Sequence, residues 1–200
     1  NFGRKEAKGG YLLLLNNDTE MINDDCLNEL LSYTERDDVG ITGARLLYED
    51  NTVQHAGVVI GYNGLAGHTF VGNEPDDVGY RAYVIQARDY SAVTAACLMV
   101  KASLYDEVGG FEEELEVAFN DVDFCLKVRE KGYLVVYNPY AVLHHYESKS
   151  RGYEDTPEKR NRFEKEAFFT YNKWEKILAD GDPCYNPNLT LSNSDFSLRE

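Results

Sequence analysis

The chain has 200 residues, 43% of them hydrophobic, enough for one domain with a buried core. Thirty-five acidic residues against 20 basic ones leave a formal net charge of −15, which argues against a nucleic-acid partner, because backbone phosphates repel an acidic surface. Cys26, Cys97, Cys125 and Cys184 form no CxxC pair, so neither a zinc site nor a disulfide scaffold is expected and a reducing compartment fits. No apolar run approaches the ~18–20 residues of a membrane span.

In chain order, the first element is the apolar run "YLLLL", Tyr11 to Leu15, which meets Asn16-Asn17-Asp18 directly. Such a run predicts a buried strand. Asn23 or Asp24 can cap a helix with Cys26, Leu27, Leu30 and Leu31 on one face. Residues 39–48 and 53–62 read as strands joined by the turn Glu49 to Thr52. Residues 63–80, rich in Gly, Asn, Asp and Pro, read as a long loop of the functional or mobile kind. "VTAACLMV", 93–100, predicts a second buried strand, and Gly109-Gly110 breaks the chain before the acidic "FEEELE".

In "NDVDFCLKVREKGY", Asn120 is the expected helix N-cap, Asp121 and Asp123 fall in the first turn, and Gly132 ends the helix. Residues 133–137 and 141–146 read as two short strands split by Asn138-Pro139. Thr156-Pro157 opens a long amphipathic helix with Phe163, Ala167, Tyr171, Trp174 and Leu178 on its apolar stripe, ended by Gly181 and Pro183. From Asn186 onward the sequence predicts a polar, poorly packed tail. Strands mixed with helices make the fold class α/β. The chain begins at Asn1 rather than Met, close to a strand, and reads as a piece of something longer.

Three places can hold chemistry. Ligands of α/β sheets bind beyond the carboxyl ends of strands, where Asn16-Asn17-Asp18 lies, and Asp18 offers a hard oxygen suited to Mg²⁺ or Mn²⁺; the triplet equally reads as a polar turn capping the next helix. Asp121 and Asp123 are about 200° apart around a helix, so they cannot face one site together. One of them can act as a general base, while acids in a first turn also simply complement the helix dipole. In "HHYESKSRG", neighbours on a strand point to opposite faces, so at most one of His144 and His145 enters a given pocket. The serines and Arg151 that follow can contact phosphate.

Together, "GGYLLLLNNDTEMI", "GGFEEELEVAFNDVDFCLKVREKGY" and "NPYAVLHHYESKSRG", in this order and spacing, resemble family 2 glycosyltransferases of the GT-A fold. The likeness extends to "NTVQHAGVVIG" and "DPCYNPNLTL" and is strongest to bacterial members that build surface polysaccharides. It implies a GT-A-like mixed sheet flanked by helices. Residues 1–154 would be the metal, catalytic and acceptor part of the domain, and residues 155–200 an amphipathic helix and tail packed on it. The Rossmann-like segment that holds the nucleobase in relatives is expected to precede this chain. The fragment alone is then expected to be weakly active or inactive, and to self-associate through exposed sheet surface.

The resemblance also implies roles. Asp18 and His145 would bind a divalent Mn²⁺ or Mg²⁺ ion carried on the donor's diphosphate, with Asn16, Asn17, Ser148, Ser150 and Arg151 on the donor. Asp121 would be the catalytic base of an inverting transfer. Asn16 and Asn120 depart from the family pattern, which has acids at both places. His55 and the 63–80 loop either line the acceptor side or are structural. The implied activity is transfer of a hexosyl or deoxyhexosyl group from a nucleotide sugar to a saccharide or lipid-linked saccharide, in the cytoplasm or at the inner membrane. Two rivals stand beside it. A nucleotidyltransferase would want a glycine-rich basic phosphate loop that this chain does not show, and a catalytically degenerate module for saccharide binding or assembly is kept open by Asn16 and Asn120, while Asp18, Asp121 and His145 argue against it.

Overall fold

The apolar runs become sheet strands in a computed structural model that describes residues 1–146 and 156–199. The elements are α1 (Phe2–Glu6), β1 (Tyr11–Leu15), β2 (Thr19–Met21), α2 (Cys26–Thr34), β3 (Val39–Leu47), β4 (Val53–His55), β5 (Val58–Ile60), β6 (Ala66–His68), β7 (Arg88–Asp89), β8 (Cys97–Lys101), α3 (Ala102–Glu107), α4 (Asn120–Glu130), β9 (Leu134–His145), α5 (Pro157–Lys173) and α6 (Glu175–Asp180). The main sheet runs β1-β8-β3-β9-β2, with β4 paired to β3, β7 paired to β9, and a separate β5-β6 hairpin. Strand β3 is parallel to β9 and antiparallel to β8, which in turn is antiparallel to β1. Thus β1, β3 and β9 all point the same way and end on one rim.

Period-two alternation divides the core between the two faces of the sheet. Cys97 and Met99 of β8 pack with Cys26 and Leu30 of α2, whereas Leu98 and Val100 join Phe124 and Val128 of α4 and Leu104 of α3. All nine residues of β3 are buried. That is the pattern of a central strand covered by helices on both sides.

Several expectations are revised. The predicted strand 53–62 breaks at Gly57, whose φ of +107° and contact with the Tyr90 ring leave no room for a side chain. The two strands predicted within 133–146 are one, β9, with a register shift between Ala44 and Arg45 of β3 that accommodates Asn138-Pro139. The helix from Asn120 is capped not by Asn120 but by Phe119. Thr156 does cap α5, its hydroxyl accepting from the Lys159 amide.

The stripe predicted for α5 is buried at Trp174 and half-buried at Ala167 and Leu178, but not at Phe163 and Tyr171. Phe163 and Tyr171 are 42% and 48% exposed, while Glu166 and Thr170 are almost wholly buried, followed by Trp174. Nor is the tail loosely packed. Leu189 and Phe196 are buried, and Phe196 stacks on Phe70 at 4.6 Å and on Tyr80 at 5.5 Å. The Asp182 carboxylate ties the start of this tail to the Ile60 amide, the Ser91 hydroxyl and the Cys184 amide.

Candidate active site

Strands β1 and β2 stand at opposite ends of the strand order, yet only Asn16, Asn17 and Asp18 join them. This triplet therefore crosses the rim where β3 and β9 end. Its first amide donates to Ala96 O at 3.0 Å, and Asp18 O accepts from the Tyr146 amide at 2.9 Å. Pinned at both ends, the crossing brings Asp18 Oδ1 to 3.3 Å and Asn16 Nδ2 to 3.2 Å from His145 Nε2. Asn17 is exposed.

The other face of the His145 ring system is engaged as well. Its Nδ1 lies 2.8 Å from Gln54 Oε1, and Gln54 Nε2 donates to His145 O at 3.1 Å. His144 turns the other way, to Asn51 Oδ1 at 2.9 Å. Ser148, Ser150 and Arg151 lie outside the described residues.

Asn16 also lines a cavity of about 440 Å³ whose wall includes Asp121, Thr94 to Ala96, Glu116 to Phe119, His68 and Phe163. Asp121 is held in place by backbone donors, Val122 N to Oδ1 at 2.9 Å and Ala95 N to Oδ2 at 3.3 Å. Asp123 faces the interior instead. It is 0% exposed, accepts from Trp174 Nε1 at 2.9 Å and pairs with Lys173 at 2.8 Å and Lys127 at 3.4 Å.

The cavity wall is built under constraint. Phe119 sits just before Asn120 in the left-handed region, φ 60° and ψ 4°, a conformation that strains an aromatic residue and clusters at functional sites. Its ring meets Phe163 at 5.5 Å. The preceding turn is held by Glu166, whose carboxylate accepts from the amides of Glu116, Val117 and Ala118 at 3.1, 3.3 and 2.7 Å. Glu166 and Gln54 were not singled out from the sequence. Glu166 is conspicuous only because its helix buries it, and Gln54 only because β4, paired to β3, brings it to His145.

His55 does not line this cavity. It is fully buried, with Nε2 accepting from the Thr94 amide at 3.4 Å and its ring edge-on to His68 at 4.7 Å. Burial, with His68 and His145 adding to it, keeps it neutral. Its Nδ1 has no hydrogen-bond partner among the described residues.

The donor set can be tested against a metal. Among the described residues no three His, Cys, Asp or Glu side chains gather closely enough to hold an ion by themselves. Asp18 and His145 supply one carboxylate and one imidazole at a common point. That suits a Mg²⁺- or Mn²⁺-like ion, which takes few protein ligands and completes its shell with substrate phosphate and water. The set fits an ion brought with a diphosphate, not a free-standing protein cage.

Comparison with known proteins bears on the fold. No protein-family model matches the chain. Over 96% of its length it is 48% identical to an uncharacterized protein, y4gI, of Sinorhizobium fredii, and over 100% it is 37% identical to the O-antigen biosynthesis protein RfbC of Myxococcus xanthus. A 60-residue stretch is 35% identical to an N-acetylglucosaminyl-diphospho-decaprenol L-rhamnosyltransferase of Mycobacterium tuberculosis, covering 30% of this chain and 20% of that protein. Its backbone matches a mannosyltransferase of Pyrobaculum calidifontis solved with GDP-Man and Mn²⁺, with TM-score 0.56 at 16% identity over 88% of this chain and 42% of that one. It also matches GalNAc-T7 solved with UDP, GalNAc and Mn²⁺, with TM-score 0.61 at 15% identity over 90% of this chain and 35% of that one. The chain has the GT-A glycosyltransferase fold. This GT-A chain spans 21% of the length of the Sinorhizobium relative and 15% of the Myxococcus one. No helix among its described residues is long and apolar enough to cross a membrane.

Proposed function

We propose that this chain is the metal-, catalysis- and acceptor-bearing part of an inverting glycosyltransferase that moves a sugar from a nucleotide donor to a saccharide acceptor in surface-polysaccharide biosynthesis. The observation that carries the reading is that Asn16 joins two constellations. It touches His145 beside Asp18, and it lines the same cavity as Asp121. A donor diphosphate and an acceptor hydroxyl could thus meet on either side of one residue.

In this reading Asp18 and His145 would hold a divalent ion, which would offset the charge developing on the leaving diphosphate. Asp121, its carboxylate oriented by the Val122 and Ala95 amides, takes the proton from the acceptor hydroxyl as that oxygen attacks the anomeric carbon opposite the nucleotide. One nucleophilic displacement inverts the anomeric centre and needs no covalent enzyme intermediate. The non-reacting part of the acceptor extends past Gly67 and His68, which also border a second cavity of about 630 Å³ lined by Asn63, Asn73, Ser192 and Asp195. Amide, hydroxyl and carboxylate groups of this kind suit sugar hydroxyls.

The test is release of nucleoside diphosphate from a panel of nucleotide sugars with and without Mn²⁺, using the longest gene product that contains the chain. Mn²⁺-dependent release from one donor, lost in Asp18→Ala, is expected. A folded protein that neither turns over nor binds any donor would instead be a non-catalytic saccharide module.

A further inference from the structure

The contacts of Gln54 decide which nitrogen of His145 carries the proton. Gln54 lies on β4 and is 2% exposed; His145 is 7% exposed. The side-chain amide of Gln54 meets His145 twice, at the ring and at the main chain. The main-chain contact orients the amide, because a carbonyl oxygen can only accept, so the NH₂ group must face His145 O. The Gln54 Oε1 is then the atom 2.8 Å from Nδ1, and an oxygen there requires Nδ1 to be the donor. In the neutral imidazole the remaining nitrogen, Nε2, carries a lone pair. It is this lone pair that accepts from Asn16 Nδ2 at 3.2 Å and confronts Asp18 Oδ1 at 3.3 Å.

We propose that Gln54 is a positioning residue that fixes His145 in its Nδ1–H tautomer and so presents the Nε2 lone pair toward Asp18. The purpose of that lone pair rests on the reading of Asp18 and His145 as the cation pair; the tautomer itself does not. A cation would find this lone pair and the Asp18 carboxylate side by side, in exchange for the Asn16 hydrogen bond. The neutral amide fixes the ring without placing a second negative charge behind it. Groups that orient a ligating histidine through its far nitrogen commonly change metal affinity about 10–100-fold when removed.

The experiment uses protein labelled with ¹⁵N and ¹³C at histidine, at a pH where the ring is neutral. The ring shifts of His145 should report Nδ1–H in the wild type. Gln54→Met keeps the volume and removes both hydrogen bonds, and it should shift His145 toward the Nε2–H form. Gln54→Glu, which restores an acceptor opposite Nδ1, should keep the wild-type tautomer. Mn²⁺ presented with inorganic pyrophosphate, followed by its paramagnetic resonance, should bind about 10–100-fold more weakly to Gln54→Met. An Nε2–H tautomer in the wild type overturns the proposal, even if every variant misfolds. So does a folded Gln54→Met with an unchanged tautomer. A changed tautomer with unchanged Mn²⁺ binding upholds the role of Gln54 and removes the cation reading of Asp18 and His145.

Discussion

Asp121 and Asp123 stand two residues apart in α4 and meet opposite surroundings. Helix geometry allows only one of them to face the cavity, and the neighbours decide which. Asp121 borders the cavity with backbone donors behind it, whereas Asp123 is locked to Trp174, Lys173 and Lys127. Asp121→Asn should therefore fold normally and lose about 10²–10⁴-fold in turnover, the usual worth of a general base. Asp123→Ala should instead cost about 1–3 kcal/mol of stability, because it leaves the buried Trp174 indole donor without its acceptor and strips Lys173 and Lys127 of one partner each. Turnover above a tenth of wild type in Asp121→Asn, measured by diphosphate release, would end the base assignment. In the sequence, helix rotation admits only one of the two to a site, and the resemblance implies Asp121. The partners that bury Asp123, Trp174 and Lys173, lie some 50 positions away.

At the scale of elements, α5 shows why an apolar stripe misleads. Phe163, Ala167 and Tyr171 recur at helical spacing, and the pattern predicts that they are buried. The helix instead turns Glu166 and Thr170 inward, because Glu166 satisfies three amides of the 116–118 turn that no strand or helix pairs. Glu166→Gln retains one oxygen for three donors and should cost about 1–3 kcal/mol. Hydrogen exchange at the amides of residues 116–118 should accelerate, and the acceptor KM should rise more than donor hydrolysis falls; unchanged exchange there would refute the role.

The same helix is clamped at its other end by Lys173, which pairs with Glu112 at 3.0 Å as well as with Asp123. The bond to Lys173 holds Glu112 below its ordinary 4.5, so that contribution is complete above 4.5 and fades as pH falls through the depressed value. Burial lowers the Lys173 pKa, but its bonds to Asp123 and Glu112 outweigh that and raise it above 10.5. Its contribution is complete below 10.5 and is lost as pH rises through the elevated value. The Tm difference between wild type and Lys173→Met should thus be level at mid pH and narrow at both extremes. A difference that does not vary with pH would show that the clamp is packing alone.

Across the whole molecule, the C-terminal segment is a structural member of the fold. Phe196 closes an aromatic cluster with Phe70, Tyr80, Tyr83 and Tyr185, and Asp182 fastens the segment to β5. Residues 191–195 also wall the second cavity beside His68. Phe196→Ala should lower stability by about 3–5 kcal/mol and shift the whole unfolding transition rather than release the tail alone. A tail that frays while the sheet keeps its Tm, seen by hydrogen exchange against calorimetry, would contradict this. The polar composition from Asn186 onward concealed the docking, since its few apolar side chains find partners only among aromatic residues far back in the chain.

What the sequence by itself determined is local. Apolar patterning made β1, β3 and β8 strands, though β1 lies at the sheet edge with only Leu12 buried, and Thr156-Pro157 and Gly132 marked helix ends, because these signals depend on neighbours within a few residues. The order of motifs also pointed to the GT-A fold. Tertiary structure alone decided that Asn16 to Asp18 cross from one edge of the sheet to the other, that Gln54 stands behind His145, and that Glu166 holds the cavity turn. Each of these is a contact between residues roughly 50 to 130 positions apart. Hydrogen-bond partners at such separations are set by strand order and helix packing, which no local period encodes.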